Sequence, residues 1–269
     1  MSFCIPRGPQ RIVCLTEEPT EILYALGEGD RVVGISAYTV RPPEAKRDKP
    51  VVSAFIDGSV KKICALEPDL VIGFSDIQAK LASELIAANQ QVLIFNQRSI
   101  QEILGVIGDV GSLVGRGDRA RDLIDGYVAG LEAASDRAAR RAHRPRVYFE
   151  EWPDPMICGI QWVSELIHIA GGEDVFADRS TGKLAKERFL DADEVLQAVP
   201  EVMLASWCGK PLEPDSVRAR AGWAELPALL NDRLHEIPSE IILQPGPACL
   251  TDGLAALETC IHPEAQTPE

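Results

Sequence analysis

Five short runs rich in β-branched and aliphatic residues, at 11–15, 31–36, 51–53, 69–74 and 91–95, recur with helical segments between them. Neighbouring strands that run parallel need a crossover of about a dozen residues, usually a helix, so this rhythm restricts the chain to an α/β architecture with parallel sheets. It begins in QRIVCLTEEPTEILYALGEGDRVVGI (residues 10–35). There an apolar strand runs into Thr16-Glu17-Glu18-Pro19, a helix follows, and a second strand starts after Gly27-Glu28-Gly29-Asp30. Leu66-Glu67-Pro68-Asp69-Leu70-Val71-Ile72-Gly73 reads as a helix end, a proline break and a buried strand. Residues 196–204, with Pro200, repeat that phrase in the second half. The repetition predicts two similarly built Rossmann-like lobes, 10–115 and 144–263, with a ligand crevice between them.

Residues 116–143 separate the halves. Leu123, Ile124, Tyr127, Val128 and Leu131 fall at helical spacing, and alanine and arginine fill the later turns. About 25 helical residues would span roughly 37 Å at 1.5 Å per residue. A single long helix joining two lobes acts as a rigid strut; an ordinary surface helix is the plainer alternative. Arg144-Pro145-Arg146 ends it, and Val147-Tyr148-Phe149 opens the second sheet.

At 269 residues the chain has room for one large domain or two lobes, and its 46% hydrophobic content is that of a globular core. The formal charge of −14 argues against nucleic acid and against an anionic membrane surface, both of which call for clustered cations. No stretch is apolar enough for membrane insertion, and MSFCIPRGPQ contains no apolar leader core, so Cys4 makes a poor lipid-anchor cysteine. Seven cysteines (4, 14, 64, 158, 208, 249 and 260) form no CxxC pair and read as reduced thiols. The sequence as written thus reads as cytoplasmic, and as periplasmic if a leader has been removed.

Chemistry-bearing motifs are scarce. Gly27-Glu28-Gly29 follows a helix and precedes a strand, the reverse of a dinucleotide fingerprint, so it is a turn. Gly105, Gly108, Gly111 and Gly115 lie mostly in a helical pattern and read as allowing close packing. His143, His168, His235 and His262 stand alone, His168 inside a helix and His235 ahead of a strand, which argues against metal held by protein side chains. Glu17, Glu150 and Glu151 sit near strand ends, where solvated rims explain them more simply than acid–base chemistry.

The aromatics say more. In open α/β sheets ligands bind beyond the carboxyl ends of the strands. Residues predicted there include Glu17, Glu18, Tyr38, Phe55, Phe74, Ser75 and Asn96 to Arg98 from the first half. The second half adds Trp152, Trp207, Cys208 and Gln244 with Pro245-Gly246. Tyr38, Phe55, Phe74, Trp152 and Trp207 are five of fifteen aromatics (7 Phe, 4 Trp, 4 Tyr), enough to suggest that at least three line a cleft suited to a planar macrocycle.

These segments resemble the substrate-binding proteins of ABC importers for cobalamin, haem and ferric siderophores, and within that cluster the cobalamin binders. The resemblance rests on Pro19-Thr20-Glu21-Ile22-Leu23, Val33-Gly34-Ile35-Ser36, Pro42-Pro43 and Val51-Val52-Ser53. It continues through Ile63-Cys64-Ala65-Leu66-Glu67-Pro68-Asp69-Leu70-Val71 and Gly171-Gly172-Glu173-Asp174-Val175-Phe176. Glu151-Trp152-Pro153-Asp154-Pro155, followed by Gly159 and Trp162, is more distinctive. It implies two lobes, a linking helix and non-catalytic binding of a corrinoid, with no resident cofactor and no metal ligand from the protein. Phe55 falls where the B12 binders carry a crevice Trp, and Tyr38 lies in their Tyr-bearing loop. Tyr38, Phe55, Phe74, Trp152, Trp162 and Trp207 would supply apolar contacts, and Glu17, Ser75, Gln97 and Gln244 would bond peripheral amides. The family docks on its permease through one acidic residue per lobe. Here Lys61 stands at the first position and Asp193 at the second, and a lysine facing permease arginines argues against docking.

Two other readings stay open. A ferric-siderophore or haem protein of an ABC importer fits the fold, but Arg98 and Lys210 are the only obvious cations for an anionic siderophore. An intracellular cofactor-handling enzyme would use Cys208, in Trp207-Cys208-Gly209, as nucleophile or thiolate ligand.

Overall fold

The computed structural model describes residues 8–263. Cys4 lies outside them. The chain divides into two compact units, one running to Gln97 and including Gln101–Gly126, the other comprising Arg98–Ile100 and the chain from Tyr127 onward.

The first unit is built on six strands: β1 (Ile12–Cys14), β2 (Val32–Ser36), β3 (Val51–Ala54), β4 (Asp57–Gly58), β5 (Leu70–Phe74) and β6 (Val92–Phe95). Their order is β4-β3-β2-β1-β5-β6, parallel throughout except for the β3–β4 hairpin. β1 lies at the centre with Ile12, Val13 and Cys14 fully buried, as an all-apolar strand covered on both faces must be. Val13, Leu15, Val52, Ile63, Val71, Leu81 and Leu85 form one apolar cluster of this unit. Gly111 sits where an added Cβ would lie 2.4 Å from that of Ala120, so this glycine lets its helix (Ile100–Leu113) meet the next one closely. Gly105 faces open space. The next helix, Gly117–Ala139, ends four residues short of the sequence expectation.

The second unit contains β7 (Arg146–Pro153), β8 (Met156–Cys158), β9 (Glu173–Asp174), β10 (Val202–Ala205) and β11 (Leu234–Glu236). The order is β11-β10-β7-β8, with β9 also pairing with β7. All pairs are parallel but one: β7 and β8 form an antiparallel hairpin. The sequence shows only the parallel part. β7 leaves the ladder with β10 after Glu150, and its last residues, Trp152 and Pro153, pair instead with Ile157 and Met156. Tyr148, Met203, Trp207, Val217, Trp223 and Leu229 lie in the core of this unit. His235 lies within β11 rather than ahead of it.

The repeated helix–proline–strand phrase has a common geometry. Glu67 follows the helix Val60–Ala65 with φ +49°, and Val199 follows the helix Ala192–Ala198 with φ +45°. Each precedes a proline, which disfavours continuing the right-handed helix at the residue before it, and each adopts the left-handed backbone that commonly ends a helix.

Candidate functional site

In the first unit the strand order reverses at β1, which has β2 on one side and β5 on the other. Ligands of open α/β sheets sit beyond the carboxyl ends at such a reversal. Glu17 and Glu18 open the helix Glu17–Ala25 that follows β1, and both are buried. Glu18 accepts a hydrogen bond from the Thr16 hydroxyl at 2.9 Å. Burial pushes its carboxyl up to about 8, with the Glu17 charge adding to the effect, and burial pushes Glu17 up to about 7. These are not solvated rim carboxylates.

Tyr38 and Phe55 come together near the ends of β2 and β3. Their rings meet edge to face at 6.4 Å and 79°, and both are exposed, at 45% and 37%. Ser53 pairs with Gly58 and Ala54 with Asp57, so Phe55 and Ile56 form a two-residue hairpin loop. Phe55 occupies its first position with φ +47°, where glycine is the usual residue. Gln78, fully buried, fixes it from below. Its amide donates to the Phe55 carbonyl at 2.5 Å while its own carbonyl accepts from the Phe74 amide at 2.9 Å. Gln78 was not legible as a site residue, because its partners lie four and 23 positions away with no shared periodicity. Phe74 is the last residue of β5, and Ser75 and Gln97 follow the ends of β5 and β6, but all three are buried; Ser75 has φ +60° and its amide donates to Phe95 O at 2.7 Å.

In the second unit Trp152 is half-buried, its indole N–H donating to Asp154 O at 2.9 Å and its ring lying under the Lys210 ammonium at 4.7 Å. It stands on the β7–β8 hairpin, not beyond a strand end. Trp207 does follow β10, yet it is buried and its indole N–H donates to Glu150 at 3.2 Å. Trp162 is buried in the helix Gln161–Ile169, with its N–H on Ile242 O at 2.9 Å. Gln244 is half-buried and follows the helical turn Ser239–Ile242 rather than β11 directly. Cys208 is half-buried.

Glu150 and Glu151 overturn the solvated-rim expectation. Glu150 is 2% exposed and receives Tyr148, Trp207 and both terminal nitrogens of Arg220. Glu151 pairs with the buried Arg188, which also donates to Cys158 O at 2.6 Å. No group of three or more His, Cys, Asp or Glu gathers at metal-binding separation among the described residues. Nor is any described helix long and apolar enough to cross a membrane.

Comparison with known proteins agrees with this architecture. The chain is 28% identical to a vitamin B12-binding protein of Vibrio parahaemolyticus over 95% of this chain and 90% of that one. It is 26% identical to the ABC transporter substrate-binding lipoprotein YvrC of Bacillus subtilis, covering 97% and 82%. The periplasmic heme-binding protein RhuT of Roseiflexus superposes with a TM-score of 0.78 at 27% identity, covering 95% and 100%. The cytoplasmic expectation finds no support in relatives named periplasmic or lipoprotein. The reading of Cys208 as an enzyme nucleophile gives way as well, because the kinship is to proteins that bind solutes. The periplasmic binding protein pattern matches residues 12–241, and the chain belongs to that family, as a non-catalytic substrate-binding protein of the ABC-transporter type.

Proposed function

We propose that this protein binds a corrinoid of the vitamin B12 type without transforming it. The observation that carries the reading is Phe55. A bulky side chain held at positive φ, exposed at a hairpin tip and tied down by Gln78, is strain that persists only where the surrounding structure enforces it, and such strain clusters at binding sites. With Tyr38 it offers an aromatic surface to a flat macrocycle, and Trp152 offers another in the second unit. Phe74, Trp162 and Trp207 support these elements from within the core. Glu17, Ser75, Gln97, Cys208 and Gln244 complete the proposed set, Glu17 as a carboxyl poised near neutrality to bond a peripheral amide. The kinship to vitamin B12-binding proteins over nearly the whole chain supports the same ligand. A corrinoid that keeps its own lower base needs no metal ligand from the protein.

The lobes of this reading are 10–115 and 144–263, with 116–143 linking them, and the location is outside the cytoplasm, as for the relatives. Lys61 and Asp193 are both exposed in the first turns of their helices. A permease partner would thus meet one acidic contact rather than two.

The test is a calorimetric titration with cyanocobalamin, with haem and a ferric siderophore in parallel. Cobalamin binding at micromolar or tighter, with the others silent, is the expected result. Preferential binding of haem would overturn the corrinoid assignment in favour of the ligand named for RhuT, and silence from all three would remove both.

A further inference from the structure

The end of the helix Gly117–Ala139 and the end of the helix Leu254–Ile261 lie together in the second unit, around two adjoining cavities of about 260 and 240 Å³. Arg141 and His262 line both. His143 and Arg233 complete the polar lining of the smaller one, which no carboxylate enters. In a chain of net charge −14 this concentration of cations is unusual. The neighbouring carboxylates are already engaged: Glu258 accepts both hydrogen bonds of Arg137 at 2.9 and 2.8 Å, and Glu201 faces His143 at 2.8 Å. The guanidinium of Arg141 has no hydrogen bond or ion pair among the described residues. Arg233 spends Nη2 on the carbonyls of Cys260 and Ile261, both at 2.9 Å, and its buried Nε has no partner among them.

Two helix C-termini explain part of this charge, since each carries roughly half a negative charge. Together they offset about one of the two uncompensated arginines, and the remainder is surplus. His262 lies beside this charge, its Nε2 3.3 Å from Gly171 O. Burial first, then the Arg141 charge and more weakly that of Arg233, hold its imidazole below the ordinary value, against opposing pulls from the Gly171 carbonyl and Glu258.

We propose that these cavities form an anion site, with Arg141, Arg233 and His262 receiving a phosphate-type oxyanion, either free or on a lipid headgroup. Nothing in this assignment depends on the corrinoid reading. Guanidinium groups bind such oxyanions through short charge-assisted hydrogen bonds, and a bound anion would favour the charged imidazole.

The full chain is titrated with inorganic phosphate while the His262 imidazole is followed by NMR, its signal assigned from a His262→Gln variant. Saturable binding with a rise in the His262 pKa is expected. Arg141→Ala, which breaks no hydrogen bond or ion pair among the described residues, weakens binding about tenfold or more at unchanged Tm. Flotation with phosphatidylglycerol vesicles, against phosphatidylcholine controls, separates the two sources. Capture by the anionic vesicles that Arg141→Ala abolishes identifies a headgroup, and phosphate binding without capture identifies a free anion. The proposal fails if neither phosphate nor anionic vesicles engage the protein, or if Arg141→Ala binds both as well as the parent.

Discussion

Arg220 reaches across 70 positions of sequence to place Nη1 and Nη2 on the two carboxylate oxygens of Glu150, at 2.5 and 3.0 Å. Tyr148 and Trp207 donate to the same carboxylate, and Arg220 also stacks on Trp223, 4.5 Å from its ring centre. A buried charge is tolerable when it is paired and its lone pairs are filled, and here four donors meet one carboxylate. The arrangement fixes Trp207 where β10 ends.

Removing one partner should therefore cost more than removing both. Arg220→Met strands a buried carboxylate and is expected to lower unfolding stability by about 3–5 kcal/mol. The double variant with Glu150→Gln recovers a substantial part. Denaturant unfolding curves check this, and a single variant as stable as the parent would show that the pair is not buried in solution.

Val199 carries a β-branched side chain at φ +45° on the protein surface. Left-handed backbone costs such a residue about 1–2 kcal/mol, which glycine does not incur. Val199→Gly is expected to raise stability by about 1 kcal/mol with no change in ligand affinity. A loss of stability would mean that the side chain makes contacts outweighing the strain.

Phe55→Gly separates stability from function. It relieves the positive-φ strain, so Tm holds or rises, by up to about 1 kcal/mol in free energy. Cyanocobalamin affinity falls about tenfold with loss of the aromatic surface. Equal affinity in the variant would remove Phe55 from the site.

The Glu17–Glu18 pair gives stability a pH dependence. Both carboxyls sit above their ordinary value of 4.5 in the folded chain, Glu17 at about 7 and Glu18 at about 8. A raised carboxyl favours folding fully below its unfolded value and loses that contribution as pH climbs through the folded one. Stability should decline between about pH 4.5 and 8, by up to about 1.4 kcal/mol per pH unit for each group. Glu18→Gln is expected to flatten that slope, measured as denaturant midpoints across the range. An unchanged slope would place the titration elsewhere.

Cys208→Ser should leave cyanocobalamin affinity nearly unchanged, measured by the same calorimetry, since serine keeps the size of the half-buried thiol at that point of the proposed site. A large loss would give the sulfur itself a role that a hydroxyl cannot take, as a thiolate ligand would.

The strands at 12–14, 32–36, 51–54, 70–74 and 92–95 were legible in the sequence because apolar periodicity and proline or glycine breaks act over a few residues. The helix–proline–strand phrase was readable for the same reason, and it sets the parallel α/β class. Tertiary structure decided what no local pattern carries. Glu150 becomes a buried ion pair because Arg220 arrives from another element. β7 leaves the parallel sheet to form a hairpin because β8 is available to pair with it. Trp162 and Trp207 sink into the core while Tyr38 and Phe55 stay exposed, because burial depends on which distant elements cover a residue rather than on its position at a strand end. Spacing along the chain thus sets the framework, and contacts between segments far apart in sequence determine which of the candidate residues a ligand can reach.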